Sequence, residues 1–417
     1  MGGEASMGLI GLYSAAAVTG FVAVFFLKKE IRILESPRKL VTIVFLVTII
    51  VGFGVFTYLN FTATEENYNW MHDGLLYQQM GQSWLVNHEF IVDGNYTHHF
   101  APVYPMYLSA FYAVLPVHLG TQIAVELIFA VSVAVVFFVT RQLYGDVPGL
   151  ITTALVVTVP SFVFSTSRNY AEPMVLILYT LTIFFILESL KPGKGNRIVL
   201  AGLFAALGFL TKASLGYFFI LTGLAGFLWR FYYMKWSVFK NKNYLAAIGV
   251  FLVLVGAWTV RNISLFWDGS LSGLFSAAQP SVYLNNAVVY ATQDAGTVFV
   301  EFWFLAALSL LFLLPYVWLL SPYLKQAFGR LRDERVSCLL LAIGLPVLIG
   351  LAMGAVDFAY EVSWMPGYWI TYYPVSQVRY LALTMIRYLF IAIVPLSWLA
   401  YEFADAKGME RKLSNKV

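Results

Sequence analysis

Asp73 and Glu172 are the acidic residues best placed for acid–base chemistry. Asp73 falls in Trp70-Met-His-Asp73-Gly-Leu-Leu-Tyr77 and opens a helix predicted to run through about Val86. A carboxylate there can take a proton from an acceptor hydroxyl. It can equally cap the helix, since Asp starts helices well. Glu172 stands in Arg168-Asn-Tyr-Ala-Glu172-Pro173, between two apolar spans. Glu beside Pro in a first turn is an ordinary helix start. Arg168 and Glu172 can pair, or Glu172 can line a cavity as a second carboxylate.

The cations give the second signal. Of the 26 Lys and Arg residues, 21 fall in segments that share one side of a membrane. The other five are Arg168, Lys212, Arg261, Arg379 and Arg387, each at or near the opposite end of an apolar span. Ionisable groups at membrane depth are costly and usually functional. Five of them on one side suggest a site for an anion such as a lipid phosphate, and the planar fork of Arg suits two phosphate oxygens. Arg379 and Arg387 are eight residues apart and share roughly one helix face, with Arg387 about 12 Å deeper. Arg379 can snorkel; Arg387 needs a partner. Arg261 follows Trp258 and can also be read as an interfacial anchor in an aromatic belt.

His98-His99 invites a metal reading, with Asp73 or Asp93 as a further ligand. Adjacent residues rarely aim at one ion, and no known ligand spacing is present, so no metal or other cofactor is expected. Asn60-Phe-Thr62, Asn95-Tyr-Thr97 and Asn262-Ile-Ser264 match the weak N-glycosylation pattern.

The elements that must position these groups are helices in a membrane. The chain is 60% hydrophobic and only 12% charged, half the charge of a soluble domain. About eleven spans of roughly 20 residues are predicted: 8–27, 40–60, 120–141, 148–164, 172–190, 198–211, 213–230, 244–261, 298–320, 337–356 and 378–400. The fold class is an all-α polytopic membrane protein. The basic segments Lys28–Lys39, Arg141, Lys191–Arg197, Arg230–Lys242, Lys325–Arg335 and Lys407–Lys416 are all cytoplasmic if the N-terminus is outside and the C-terminus inside. That topology leaves Val103–Val117 as an interfacial or re-entrant helix, with Lys212 at the outer tip of a helical hairpin over 198–230. The first apolar stretch lacks a preceding basic region, so no cleavable signal is expected. The single Cys338 lies in a span and excludes disulfides. The net charge of +4 comes from inner loops and implies no nucleic acid.

The motifs come in a particular order. An outer-loop Asp73-Gly-x-x-Tyr77 precedes Tyr104-Pro105. Tyr170-Ala-Glu172-Pro173 and an Ala201-Gly-Leu-x-x-x-Leu-Gly-Phe-Leu-Thr-Lys212 hairpin follow. Trp258-Thr-Val-Arg261-Asn262 and a terminal Arg-Tyr span complete it. This order resembles the GT-C glycosyltransferases, in the branch of the protein O-mannosyltransferases and aminoarabinose transferases, from about residue 40 to 400. The extra span and basic loop over 1–39 precede this module (first outer loop 61–119), and a basic tail over 401–417 follows it.

The resemblance implies a polyprenyl-phosphate sugar donor and transfer to an acceptor hydroxyl on the extracytoplasmic side. It implies Asp73 as catalytic base with Glu172 beside it. Lys212, Arg261 and Arg387, with Arg168 and Arg379, would hold the donor phosphate. Tyr77, His98, His99, Tyr104 and Tyr388 would contact sugar or acceptor. The chain departs from the mannosyltransferases where they carry Asp-Glu, since Gly74 follows Asp73, and it lacks their added soluble domain. A transporter or flippase of an anionic lipid is the rival class, because the same cations would serve it. It would need polar groups in the inner half of the spans too, whereas Glu126 and the deep cations crowd the outer half. An inactive scaffold subunit is a third class, which a missing Asp73 would have signalled.

Overall fold

The computed structural model describes residues 72–92, 94–97, 100–157, 159–212 and 240–270, with Phe53, scattered positions over 219–235 and 330–348, and 389–414. The spans expected at 8–27 and 298–320, and most of 40–60, lie outside the described residues. So do His98, His99, Arg379, Arg387 and Tyr388.

Helix α1 (His72–Asn87) carries Asp73 in its first turn, as the sequence predicts. A two-residue hairpin, β1 (Ile91–Val92) with β2 (Asn95–Tyr96), follows it. Helix α2 (Val103–Tyr112) has ten residues, about 15 Å of rise, which is too short to cross a bilayer. Helix α3 (Val117–Tyr144) is a full span. The span expected at 148–164 is instead two helices, α4 (Asp146–Val157) and α5 (Pro160–Ser167). Pro160 disfavours helical backbone at the residue before it, so the chain restarts there. Helices α6 (Glu172–Ser189), α7 (Arg197–Phe209) and α8 (Lys242–Phe266) follow. Helix α9 (Ile393–Ser414) closes the chain after a short 3-10 turn, Leu389–Ala392. Among the described residues, α3, α6 and α8 are long and apolar enough to span a membrane.

The chain divides into two compact units, residues 1–177 with 210–212, and 178–209 with 213–417. In the first, α1 is fixed to α2 and α3 by a buried polar knot. Gln78 Nε2 donates to Thr121 Oγ1 at 3.2 Å, and the Tyr112 hydroxyl shares a hydrogen bond with the same atom at 2.8 Å. Burial pushes the Tyr112 hydroxyl up to about 12, against the lowering effect of that bond, so it stays protonated at neutral pH. In the second unit, α7 and α8 pack backbone to backbone. A Cβ on Gly202 would meet the Ala247 carbonyl oxygen at 2.5 Å, so only glycine allows this approach. Arg335 grips Glu402 of α9 through Nε at 2.9 Å and a terminal nitrogen at 2.6 Å.

Candidate active site

Three ionisable side chains meet in the first unit. Lys212 Nζ lies 2.9 Å from Glu172 Oε1 and 3.3 Å from Asp73 Oδ2. They come from three separate places: the first turn of α1, the first turn of α6, and the segment just after α7. The side chains of Glu172 and Lys212 are 0% and 6% exposed, whereas that of Asp73 is 13% exposed. Two carboxylates therefore share one ammonium, and of the two carboxylates Asp73 alone keeps an opening to solvent. Tyr170 sets its ring 5.9 Å below the same ammonium, within cation–π reach.

The turn between α5 and α6 holds this arrangement. Asn169 has φ +57°, the left-handed region that Asn tolerates better than most residues. The Tyr170 amide donates to the Ser165 carbonyl at 3.1 Å and the Asn169 amide to Thr166 at 3.2 Å. That pattern is a Schellman cap with Asn in the glycine position. It ends α5 and delivers Glu172 to the start of α6, where a carboxylate also suits the helix dipole. Lys212 is held from the other side: the Val103 amide at the start of α2 donates to Leu210 at 2.9 Å.

Gly74 sits where the chain departs from an Asp-Glu pair. A Cβ at that position would lie 2.6 Å from the Arg168 carbonyl oxygen. No side chain fits there, and the second carboxylate on Lys212 comes from α6.

The other expected residues make contacts of their own. Arg168 is buried in the α5–α6 turn, its carbonyl against Gly74. Tyr77 and Tyr104 are 0% and 1% exposed and meet edge-on at 5.0 Å between ring centres. Neither presents a face to solvent, and the Tyr104 hydroxyl is engaged by Asn169 at 2.8 Å. Arg261 belongs to the second unit. Its guanidinium lies 4.7 Å from the centre of the Trp258 ring, and Nη1 donates to Asn262 Oδ1 at 3.0 Å. Asn262 is buried inside α8, which removes it as a glycosylation acceptor. Among the described residues, no three His, Cys, Asp or Glu side chains cluster to hold a metal ion. Asn169, Tyr170 and Gly74 received no role from the sequence. The signal available for Asn169 was an Asn just past a helix end.

The apolar helices belong to an integral membrane protein whose fold is similar to that of ArnT. The chain is similar in structure to ArnT from Cupriavidus metallidurans bound to undecaprenyl phosphate, with a TM-score of 0.54 at 14% identity over 79% of this chain. It spans only 55% of the length of that protein. The apo state of that ArnT aligns with a TM-score of 0.37 at 12% identity, over 79% of this chain and 72% of that one. Residues 99–260 match the family described as dolichyl-phosphate-mannose-protein mannosyltransferase. That stretch contains Glu172 and Lys212 and leaves Asp73 outside it. The resemblance carried by the order of motifs therefore holds at the level of fold and of a segment that matches this family. No curated protein sequence matches the chain.

Proposed function

We propose that this protein is a membrane glycosyltransferase that moves a sugar from a polyprenyl-phosphate carrier to an acceptor hydroxyl on the extracytoplasmic side. One observation carries this reading: a buried lysine bridges a sealed carboxylate and a partly open one. The matching family's name specifies a dolichyl-phosphate sugar donor. The similar ArnT binds undecaprenyl phosphate. Placement of the site outside the cell rests on the basic segments, which favour a cytoplasmic C-terminus.

The chemistry follows from the asymmetry of the pair. Glu172 has no access to a substrate and acts as the counter-ion that positions Lys212. Asp73 is the base. A donor phosphate oxygen reaching Lys212 displaces the longer, more exposed contact first, so Asp73 is uncovered while Glu172 keeps its hold. Asp73 then takes the proton of the acceptor hydroxyl. The acceptor oxygen bonds to the anomeric carbon as the bond from that carbon to the phosphate oxygen breaks. The electron pair leaves with the phosphate, whose charge Lys212 stabilises. The anomeric configuration inverts. Arg168, Arg261, Arg379 and Arg387 are the further cations assigned to the carrier phosphate, and the isoprenoid tail lies between spans. No metal takes part in this scheme.

The test is transfer from a panel of labelled polyprenyl-phosphate sugars by the purified protein in nanodiscs, with Asp73→Asn alongside. Transfer lost in the variant, with donor binding kept, is the expected result. Full transfer by the variant removes Asp73 as base. Movement of the donor across proteoliposome membranes, with no transfer, favours the transporter class.

A further inference from the structure

The structure assigns Asn169 as the positioning residue that sets Asp73 against Lys212, with Tyr104 as its orienter. This inference rests on the glycosyltransferase reading for its kinetic consequence, though not for its geometry.

Asn169 caps α5 through its amide in a left-handed conformation, a task glycine performs at no steric cost. The cap alone gives no reason for a side chain. The Asn169 side chain is nevertheless 0% exposed and used at both ends. Its Oδ1 accepts from the Tyr104 hydroxyl at 2.8 Å, and its Nδ2 donates to the Gly74 carbonyl at 3.1 Å.

The chemistry of the partners fixes the amide's orientation. A carbonyl only accepts, so the nitrogen must face Gly74. The Tyr104 hydroxyl then has an oxygen to donate to. A flipped amide would set two oxygens against each other at Gly74. Tyr104 thus selects the rotamer that grips α1.

The position of that grip matters. Gly74 follows Asp73 directly, and Glu172 follows Asn169 by three residues. One buried amide therefore links the turn that carries Glu172 to the turn that carries Asp73. The backbone approach at Gly74 leaves no side chain there to do this instead. Without the amide, the first turn of α1 loses a directed hydrogen bond to the α5–α6 turn, one that fixes it beside the Lys212 bridge. The shared Lys212 would then no longer meet both carboxylates at fixed spacing. A displacement of about 1 Å at reacting groups can cost roughly 10²-fold in rate.

Asn169→Gly keeps the left-handed cap and removes both side-chain bonds. Tyr104→Phe keeps the packing and removes only the orienter. We expect Asn169→Gly to lower kcat by roughly 10- to 10²-fold with donor KM little changed. Tyr104→Phe should lower it less, and the double variant should be no worse than Asn169→Gly alone. A rise in KM with kcat intact, or additive effects of the two changes, would overturn the assignment. The geometry is read independently by cryo-electron microscopy of Asn169→Gly in nanodiscs with a Fab. The Asp73–Lys212 separation, 3.3 Å in the wild type, should open beyond about 4 Å, the limit of an ion pair. If it stays closed, the inference fails whatever the activity. If the wild type transfers no sugar but the separation opens, the glycosyltransferase reading falls and the positioning role stands. Should Asn169→Gly fail to fold, the same separation measured in Tyr104→Phe decides.

Discussion

Removing the members of the buried triad one at a time should give an ordered set of stability losses. Lys212→Met removes the ammonium that both carboxylates contact, one of them sealed at 0% exposure. Deleting one partner of a buried pair costs about 3–5 kcal/mol, because the remaining charge is uncompensated. Glu172→Gln is milder: the ammonium keeps Asp73, and what is lost is one charge-assisted hydrogen bond, about 1.5–3 kcal/mol. Asp73→Asn is the mildest. Its contact is the longer at 3.3 Å, and its side chain is 13% exposed, so the loss should be about 1 kcal/mol or less. The order is therefore Lys212→Met, then Glu172→Gln, then Asp73→Asn. The double variant Glu172→Gln/Lys212→Met removes the sealed charge together with its partner. It should be more stable than Lys212→Met alone, with a coupling of roughly 2 kcal/mol. Reversible chemical unfolding in mixed micelles, followed by tryptophan fluorescence, measures all four. A neutral Lys212→Met, or a double variant equal to the sum of the singles, would refute the claim that these charges are energetically joined.

Asp73→Asn should reduce sugar transfer by about 10²- to 10⁴-fold while the protein still binds undecaprenyl phosphate, read by native mass spectrometry. Gly74→Ala places a methyl 2.6 Å from the Arg168 carbonyl. It should cost about 1–3 kcal/mol and depress transfer as well, because the strain falls beside Asp73; unchanged unfolding and unchanged transfer would deny that close approach. Gly202→Ala meets the Ala247 carbonyl at 2.5 Å. It should lower the unfolding midpoint by a similar energy, about 1–3 kcal/mol, without altering donor KM.

The long helices were legible because the bilayer demands them. A span needs roughly 20 apolar residues and must satisfy its own backbone, and α3, α6 and α8 answer that demand. The short Val103–Tyr112 helix was legible by its length. The break ahead of Pro160 was legible too, yet the apolar run across it reads as one span when hydropathy is weighed above proline. The site was legible in kind. Asp73, Glu172 and Lys212 stand at helix ends where ionisable residues need a purpose. Their meeting was not legible, because Lys212 and Asp73 are 139 residues apart and Asn169 and Gly74 are 95 apart. No local periodicity encodes such pairings. Tyr77 and Tyr104 show the reverse case. Their types suit sugar stacking, but edge-on packing and a hydrogen bond to Asn169 use them up inside the scaffold.

Unequal burial is what turns three charges into a division of labour. Were both carboxylates open, either could serve as base, and the lysine would have no fixed place to receive a phosphate. Were both sealed, no acceptor could reach a base. On the proposed reading, with Glu172 sealed and Asp73 at the edge, the ammonium keeps one partner through a reaction cycle and exchanges the other. On that reading Asp73 is covered until an anion arrives to take its place on Lys212. An enzyme built this way should bind its lipid donor before its acceptor. Initial-rate patterns should therefore be those of an ordered sequential reaction, with a dead-end acceptor analogue uncompetitive against the donor. A competitive pattern would mean that Asp73 is available without the donor, and that the lysine bridge does not govern its exposure.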